Sequence, residues 1–400
     1  MEIEPNTQVL LGAFAIALVL GAVANKSHFC TMGAVADWVN MGDSNRLRAW
    51  FLALTVALAG TLVLEATALV SFDDTRPPYR SANFAWARYL VGGLLFGIGM
   101  TLASGCGSKN LVRIGGGNLK SVLVVLVTGY FAYLMTRTDF YGVVFHSWVQ
   151  PIAIDLTAVG SKGQDLGSLA AAAIGAEPRS ARLIIGSLLV LALLVLLLRS
   201  ASFRASRDNL FGGLVVGACV LGAWYLTGGP LGQHAMEEAE WADIRPEGVG
   251  VQSYTFINPM GETLYYAVSG APRQLLTFGV VAVAGVIIGS FLYAVASRSF
   301  RIEWFTSMAD FLRHLVGAAL MGVGGVLAMG CTIGQGITGT STLALGSFLA
   351  LGAIIVASAA TMKVQYYKML YEHASFAAAL TSALVDLHLL PRGMRKLEAL

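Results

Sequence analysis

The stretch RHLVGAALMGVGGVLAMGC, Arg313–Cys331, has an earlier counterpart in RYLVGGLLFGIGMTLASGC, Arg88–Cys106. Aligned without gaps, 11 of the 19 positions agree: Arg, Leu, Val and Gly at the start, one further Leu, two spaced Gly, then Leu, Ala, Gly and Cys. Agreement on this scale marks an internal duplication. Each copy is an apolar helical pattern that stops at Gly-Cys, Gly105-Cys106 and Gly330-Cys331, and runs into a loop of small residues. Gly97, Gly99, Gly322 and Gly324 suit close approach of helix backbones in a membrane. Gly107 and Gly115 to Gly117 in one copy, and Gly334, Gly336 and Gly339 in the other, suit an unwound backbone. Such backbone is tolerated at membrane depth where protein buries it or it lines a watery path.

The rest of the chain has the same character. Of 400 residues 56% are hydrophobic and 12% charged, against roughly a quarter charged in soluble domains. Runs long enough to cross a hydrocarbon core predict nine spans: Gln8–Asn25, Arg48–Val70, Trp86–Ser104, Leu119–Thr136, Arg182–Leu198, Leu210–Gly228, Arg273–Ser297, Leu312–Gly330 and Thr342–Met362. The expected fold class is an all-α polytopic membrane protein, one transport domain over residues 1–400. Within it, 1–136 and 273–362 form two repeat halves, 137–272 the central spans with two long loops, and 363–400 a tail with an amphipathic helix. Apolar patches such as SYTFINPMGETLYYAVSG in the second long loop suggest re-entrant or interfacial helices, whereas HAMEEAEWADIRPEG belongs in water. Glu2 and Glu4 precede the first run in place of the basic residues of an export signal, so that run is read as a retained helix.

Loop charge sets orientation, because Lys and Arg near helix ends stay on the cytoplasmic side. Alternate loops and the C-terminal tail collect 17 of the 26 basic residues. That places the N-terminus outside and the C-terminus inside. The first Gly-Cys copy then runs inward and the second outward, an inverted repeat with Gly-interrupted spans, which points to a transporter's binding site. No GxxxxGK[ST] phosphate loop is present, so ATP is not the evident drive.

A turn entering a helix offers free N–H groups and the positive end of the helix dipole, a place for an anion. Thr332, Gln335, Thr338, Thr340 and Ser341 add neutral donors at the second turn. Ser108, Lys109, Asn110 and Arg113 line the first. A lone membrane cysteine usually behaves as a small hydrophobe, and Cys219 among apolar neighbours fits that. For Cys106 and Cys331 the duplication favours function. Cys30, beside Lys26 and His28, stays between the two readings, and the repeat does not account for it. Glu65, an acid within a span, is read either as functional or as snorkelling or paired with Arg88. His28 reads as a solvated interface residue. The four cysteines lack the spacing of zinc, redox or disulfide sites, and Met32, Met100 and Met329 without a paired motif give little support to a soft metal. The expected cofactor set is none, with no metal, and the basic residues report topology rather than nucleic acid.

SHFCTMGA, LASGCGSKNLVRIGGGNLKS and LAMGCTIGQGITGTSTLALGS together resemble the YeeE/YedE family of sulfur-transport membrane proteins, over most of the chain. The resemblance implies an hourglass-like inverted-repeat fold in the cell inner membrane that imports thiosulfate or a related sulfur-containing anion. It further implies three cysteines along a central path, here Cys30, Cys106 and Cys331, and a small cytoplasmic TusA-like sulfur-carrier protein as partner. Gly105, Gly330, Lys109, Thr332 and Gln335 complete the candidate pathway. The expectation is therefore a transporter and not an enzyme. Selenium-compound transport, membrane sulfurtransferase or redox chemistry, and soft-metal transport remain as alternatives.

Overall fold

The computed structural model describes residues 4–242 and 244–398. The chain begins with α1 (Pro5–Lys26), α2 (Thr31–Met41), α3 (Asn45–Ala66), α4 (Trp86–Leu102), α5 (Gly107–Gly115) and α6 (Leu119–Arg137). A π-helical turn at Gly142–His146 leads through the short α7 (Ser147–Val149) to α8 (Leu166–Ile174), α9 (Pro178–Leu198), α10 (Ala201–Ala205) and α11 (Arg207–Gly228). Then come α12 (Pro230–Trp241), α13 (Ile257–Val268), α14 (Phe278–Ala296), α15 (Met308–Leu327), a π-helical segment at Gly334–Gly339, α16 (Leu345–Leu370) and α17 (Phe376–Asp386). Four two-residue strands stitch the loops. β1 (Thr75–Arg76) pairs in parallel with β4 (Val251–Gln252), and β2 (Asn83–Phe84) pairs antiparallel with β3 (Ile154–Asp155).

Among the described residues nine helical segments are long and apolar enough to cross a membrane. The protein is thus an all-α polytopic membrane protein. Burial is arranged for lipid: α9 exposes Ile184, Leu188, Leu191 and Val195, one apolar stripe at helical spacing that water would penalise. All nine expected spans are present with shifted ends. The second stops at Ala66 and not Val70, and the seventh starts at Phe278 after a 3₁₀ turn at Arg273–Leu275. The ninth runs on to Leu370, where α17 folds back against it.

The duplicated helices α4 and α15 pack against each other, and glycine makes that contact. A Cβ at Gly92 would stand 2.5 Å from Ala328 N and 2.8 Å from Gly324 O, and one at Gly317 would stand 2.6 Å from Ala103 N and 2.7 Å from Gly99 O. Gly92 thus faces Gly324 while Gly99 faces Gly317, so the helices run antiparallel. The atoms met are the same on both sides at an offset of 225 residues. Beyond the cysteines the offset grows by one. Gly97 approaches Ile354 O of α16 at 2.4 Å, and its mate Gly322 approaches Thr128 O of α6 at 2.7 Å.

That extra residue explains the π-helix. Nine helical residues follow Cys106 in α5, whereas the helical run after Cys331 spans ten, Thr332 to Ser341, with Gly334–Gly339 wound as π. One inserted residue in a helix is commonly absorbed this way. Of the glycines expected in unwound backbone, Gly116 and Gly117 do form a turn after α5, with Gly117 at φ 97°, but the two stretches that follow the cysteines are helical. Their glycines serve close packing instead, Gly334 against Thr255, Gly336 against Trp50 and Gly339 against Tyr79 and Ser347.

Candidate functional site

The chain breaks elsewhere, two residues before each of three cysteines. His28, Ser104 and Met329 have φ of 50°, 55° and 59°, and each ends its helix with the same hydrogen bonds. The N–H one residue before the cysteine bonds the carbonyl five residues back, Phe29 to Ala24 at 3.1 Å, Gly105 to Met100 at 2.9 Å and Gly330 to Gly325 at 2.7 Å. The N–H of the left-handed residue bonds the carbonyl three back: His28 to Asn25, Ser104 to Thr101 and Met329 to Val326. This is the Schellman termination, made here without glycine in the left-handed position. Cys30 therefore shares the local architecture of Cys106 and Cys331, although no sequence repeat includes it.

Each cysteine then starts a short helix: Cys30 is the N-cap of α2, Cys106 of α5, and Cys331 precedes the helical run beginning at Thr332. Gly33 N–H donates to Cys30 Sγ and Gly334 N–H to Cys331 Sγ, both at 3.4 Å. The Cys30 and Cys106 thiols face each other, and Thr332 stands beside Cys106. Phe256 N–H, at the start of α13, turns on the Cys331 sulfur together with Ile333 N–H. Four helix starts thus converge, each with its positive dipole end toward the others.

Among the described residues the cluster gathers no carboxylate, and two of its polar atoms have no well-aligned partner. Thr332 Oγ1 and Gln335 Oε1, in residues with 0% exposure, make no well-aligned hydrogen bond within the described structure. Buried polar atoms are rarely left so. Thr338, Thr340 and Ser341, expected as donors, are spent on carbonyls of Tyr254, Gly336 and Thr338. Asn110 and Arg113 are spent likewise, on Gly105, Cys106 and Ser104 carbonyls. Lys109 differs. It sits near Cys30 and Cys106, and among the described residues no carboxylate lies within ion-pair distance of it. Ser108 Oγ is 3.4 Å from Cys106 Sγ. Gly105 and Gly330 supply the backbone of the two terminations.

Between the turns lies a cavity of about 10 Å³, lined in part by Phe29, Ser108, Phe256 and Ile333, neighbours of the three cysteines and of α13. That is room for about one water, so this conformation is closed at its centre. On the Cys331 side the closure is built by two loops that β1 and β4 hold together. Tyr79 Oη donates to Gly334 O at 2.9 Å. Burial holds its phenol well above the ordinary tyrosine range, so it remains a donor at any working pH.

Glu65 does not pair with Arg88. Arg80 grips it with two hydrogen bonds of 3.0 and 2.9 Å, and Arg182 Nε lies 2.8 Å from its other side. Arg88 instead donates to Leu327 O and lies over the Tyr141 ring. The acid is therefore buried, paired and distant in role from the cysteines. His28 is exposed and Cys219 buried among apolar side chains. Among the described residues no group of three or more His, Cys, Asp or Glu is gathered that could hold a metal ion.

Sequence reading expected a re-entrant or interfacial helix in this apolar patch of the loop but missed that its start meets the cysteines. Pro259, in the first turn of α13 where proline is tolerated, marks that start. Trp50, packed on Gly336 with its indole N–H unpartnered, was missed as well.

The chain is 24% identical over 362 residues to the thiosulfate transporter TsuA of Escherichia coli (strain K12), covering 87% of this chain and 92% of that one. It is 25% identical over 342 residues to the thiosulfate transporter TsuA of Spirochaeta thermophila, covering 84% and 92%. The family profile described as Sulphur transport matches residues 26–360, most of the chain, and the protein belongs to that family.

Proposed function

We propose that this protein imports thiosulfate, or a closely related sulfur-containing anion, across the cell inner membrane along a path past Cys331, Cys106 and Cys30. The observation that carries this reading is the meeting of four helix starts at thiols, with Lys109 unpaired by any carboxylate among the described residues. Dipole ends, N–H groups and one free cation favour a negative guest. Thiols suit a polarizable terminal sulfur, because S–H is a weak donor and releases what it binds. The reciprocal α4–α15 contact supports an inverted repeat. The basic-residue distribution supports an N-terminus outside, with Cys331 met first and Lys109 drawing the anion inward. A TusA-like carrier at the cytoplasmic face would accept the cargo, and no catalytic step is required of the chain.

The test is uptake of labelled thiosulfate by proteoliposomes, with sulfate, sulfite and selenite as competitors. Cys106→Ala and Cys331→Ala are each expected to lower uptake at least about tenfold, the scale of one or two lost hydrogen bonds to an anion. Cys331→Ser should retain part of it, since a hydroxyl still donates. Complete loss in Cys331→Ser with intact folding would favour covalent sulfur transfer instead. Lys109→Met is expected to raise KM several-fold and flatten its salt dependence. Sulfate competing as well as thiosulfate would defeat the selectivity claimed for the thiols.

A further inference from the structure

β4 leads into an extended segment, Ser253 to Phe256, laid along the helical run after Cys331. Thr338 Oγ1 fixes it by donating to Tyr254 O at 2.8 Å, and Tyr254 Oη donates in turn to Ala13 O at 2.7 Å. Next to this doubly anchored tyrosine, Thr255 reaches the Cys331 thiol. Its hydroxyl is solvent-inaccessible and has no well-aligned partner. Gly334 makes the room: a Cβ there would stand 2.4 Å from Thr255 Oγ1. A hydroxyl held in the gap that Gly334 leaves, beside a sulfur that already has backbone N–H groups on it, is placed to meet a guest as well as to pack. Thr332, fully buried and likewise without a well-aligned partner, stands to Cys106 as Thr255 stands to Cys331.

Resting on the anion path proposed above, we propose that Thr255 is a specificity-determining residue. Its hydroxyl donates to an oxygen of the anion while the guest's terminal sulfur meets Cys331. The threonine–cysteine pair reads both ends of an oxyanion of sulfur, and Thr332–Cys106 offers the same pairing one step inward. A guest lacking either end would satisfy half the site and leave the other half buried and unpaired, which costs affinity.

Thiosulfate uptake by proteoliposomes of the parent, Thr255→Val and Thr255→Ser tests this, with the melting temperature of each recorded. Valine keeps the volume and removes the donor. Thr255→Val should raise KM roughly 10- to 100-fold, the scale of a lost hydrogen bond to a charged group, with a smaller change in kcat. Thr255→Ser should remain within about threefold of the parent, because its hydroxyl can reach the same oxygen. All three should melt alike. A parental KM in Thr255→Val overturns the proposal and leaves the transport reading standing. Equal damage from serine and valine, with lowered melting, assigns Thr255 to packing and also overturns it. No uptake by the parent defeats both readings together.

Discussion

Glu65→Ala is expected to cost about 3–5 kcal/mol of stability, the scale of breaking a buried ion pair from one side. Glu65, Arg80 and Arg182 are each under a tenth exposed. The carboxylate receives two aligned bonds from Arg80, and Arg182 Nε stands 2.8 Å away. Its removal leaves Arg80 facing only the exposed Asp73 at 3.4 Å and Arg182 facing Asp165 at 3.7 Å. Two guanidinium groups then remain buried without their main counter-charge. The apparent melting temperature in detergent should fall by roughly 5 °C or more, and 1 M salt should not erase the difference, because buried pairs are screened little. Pairing Glu65→Met with Arg80→Met should recover a good part of the loss, since apolar replacement of both partners removes the stranded charge. A fall under about 1 kcal/mol would place the cluster with exposed salt bridges.

That cluster joins α3, the loop after it, the loop before α8, and α9, all on the Cys331 side. Arg80 also donates to Thr342 O, and its neighbour Tyr79 caps Gly334. Loosening Glu65 therefore reaches the wall of the proposed path without touching a thiol. None of this was legible in the sequence, where pairing with Arg88 was one of several readings left open for Glu65. Arg80 lies in a loop whose course depends on β1 meeting β4, a contact spanning 176 residues from Thr75 to Val251.

The spans were legible because an apolar run of membrane length has few other uses. Cys106 and Cys331 stood out in the sequence because duplication wrote them twice. Cys30 entered only through the family resemblance, since the feature its turn shares with theirs is a backbone angle. His28, Ser104 and Met329 share no side-chain chemistry that would announce φ near 55°. The glycine-rich runs misled for a related reason. Glycine permits irregular backbone and also permits close approach, and composition alone does not say which freedom is used. Here Gly334, Gly336 and Gly339 stay helical and admit a threonine, a tryptophan and a tyrosine.

The crossing of α4 and α15 gives the second large effect. Gly99→Ala would set a Cβ 2.7 Å from both Gly317 O and Met321 N, and Gly324→Ala would set one 2.7 Å from Gly92 O and 2.6 Å from Phe96 N. These are backbone atoms of a packed helix and cannot turn aside. The helices must separate, at about 1–3 kcal/mol or more for each substitution. Because both glycines meet equivalent atoms, the two variants should lose equal stability. The double variant should lose less than the total of the two, since the first methyl has already opened the shared interface. Gly352→Ala is the control: nothing lies within 4 Å of its added methyl at an exposed position of α16, so alanine should leave stability unchanged or raise it by about 0.5–1 kcal/mol. Thermal unfolding of the four variants in one detergent decides the matter. Parental melting in Gly99→Ala would mean that the helices do not touch as described. Unequal losses in Gly99→Ala and Gly324→Ala would mean that the contact is not reciprocal, and the inverted repeat would lose its strongest physical support.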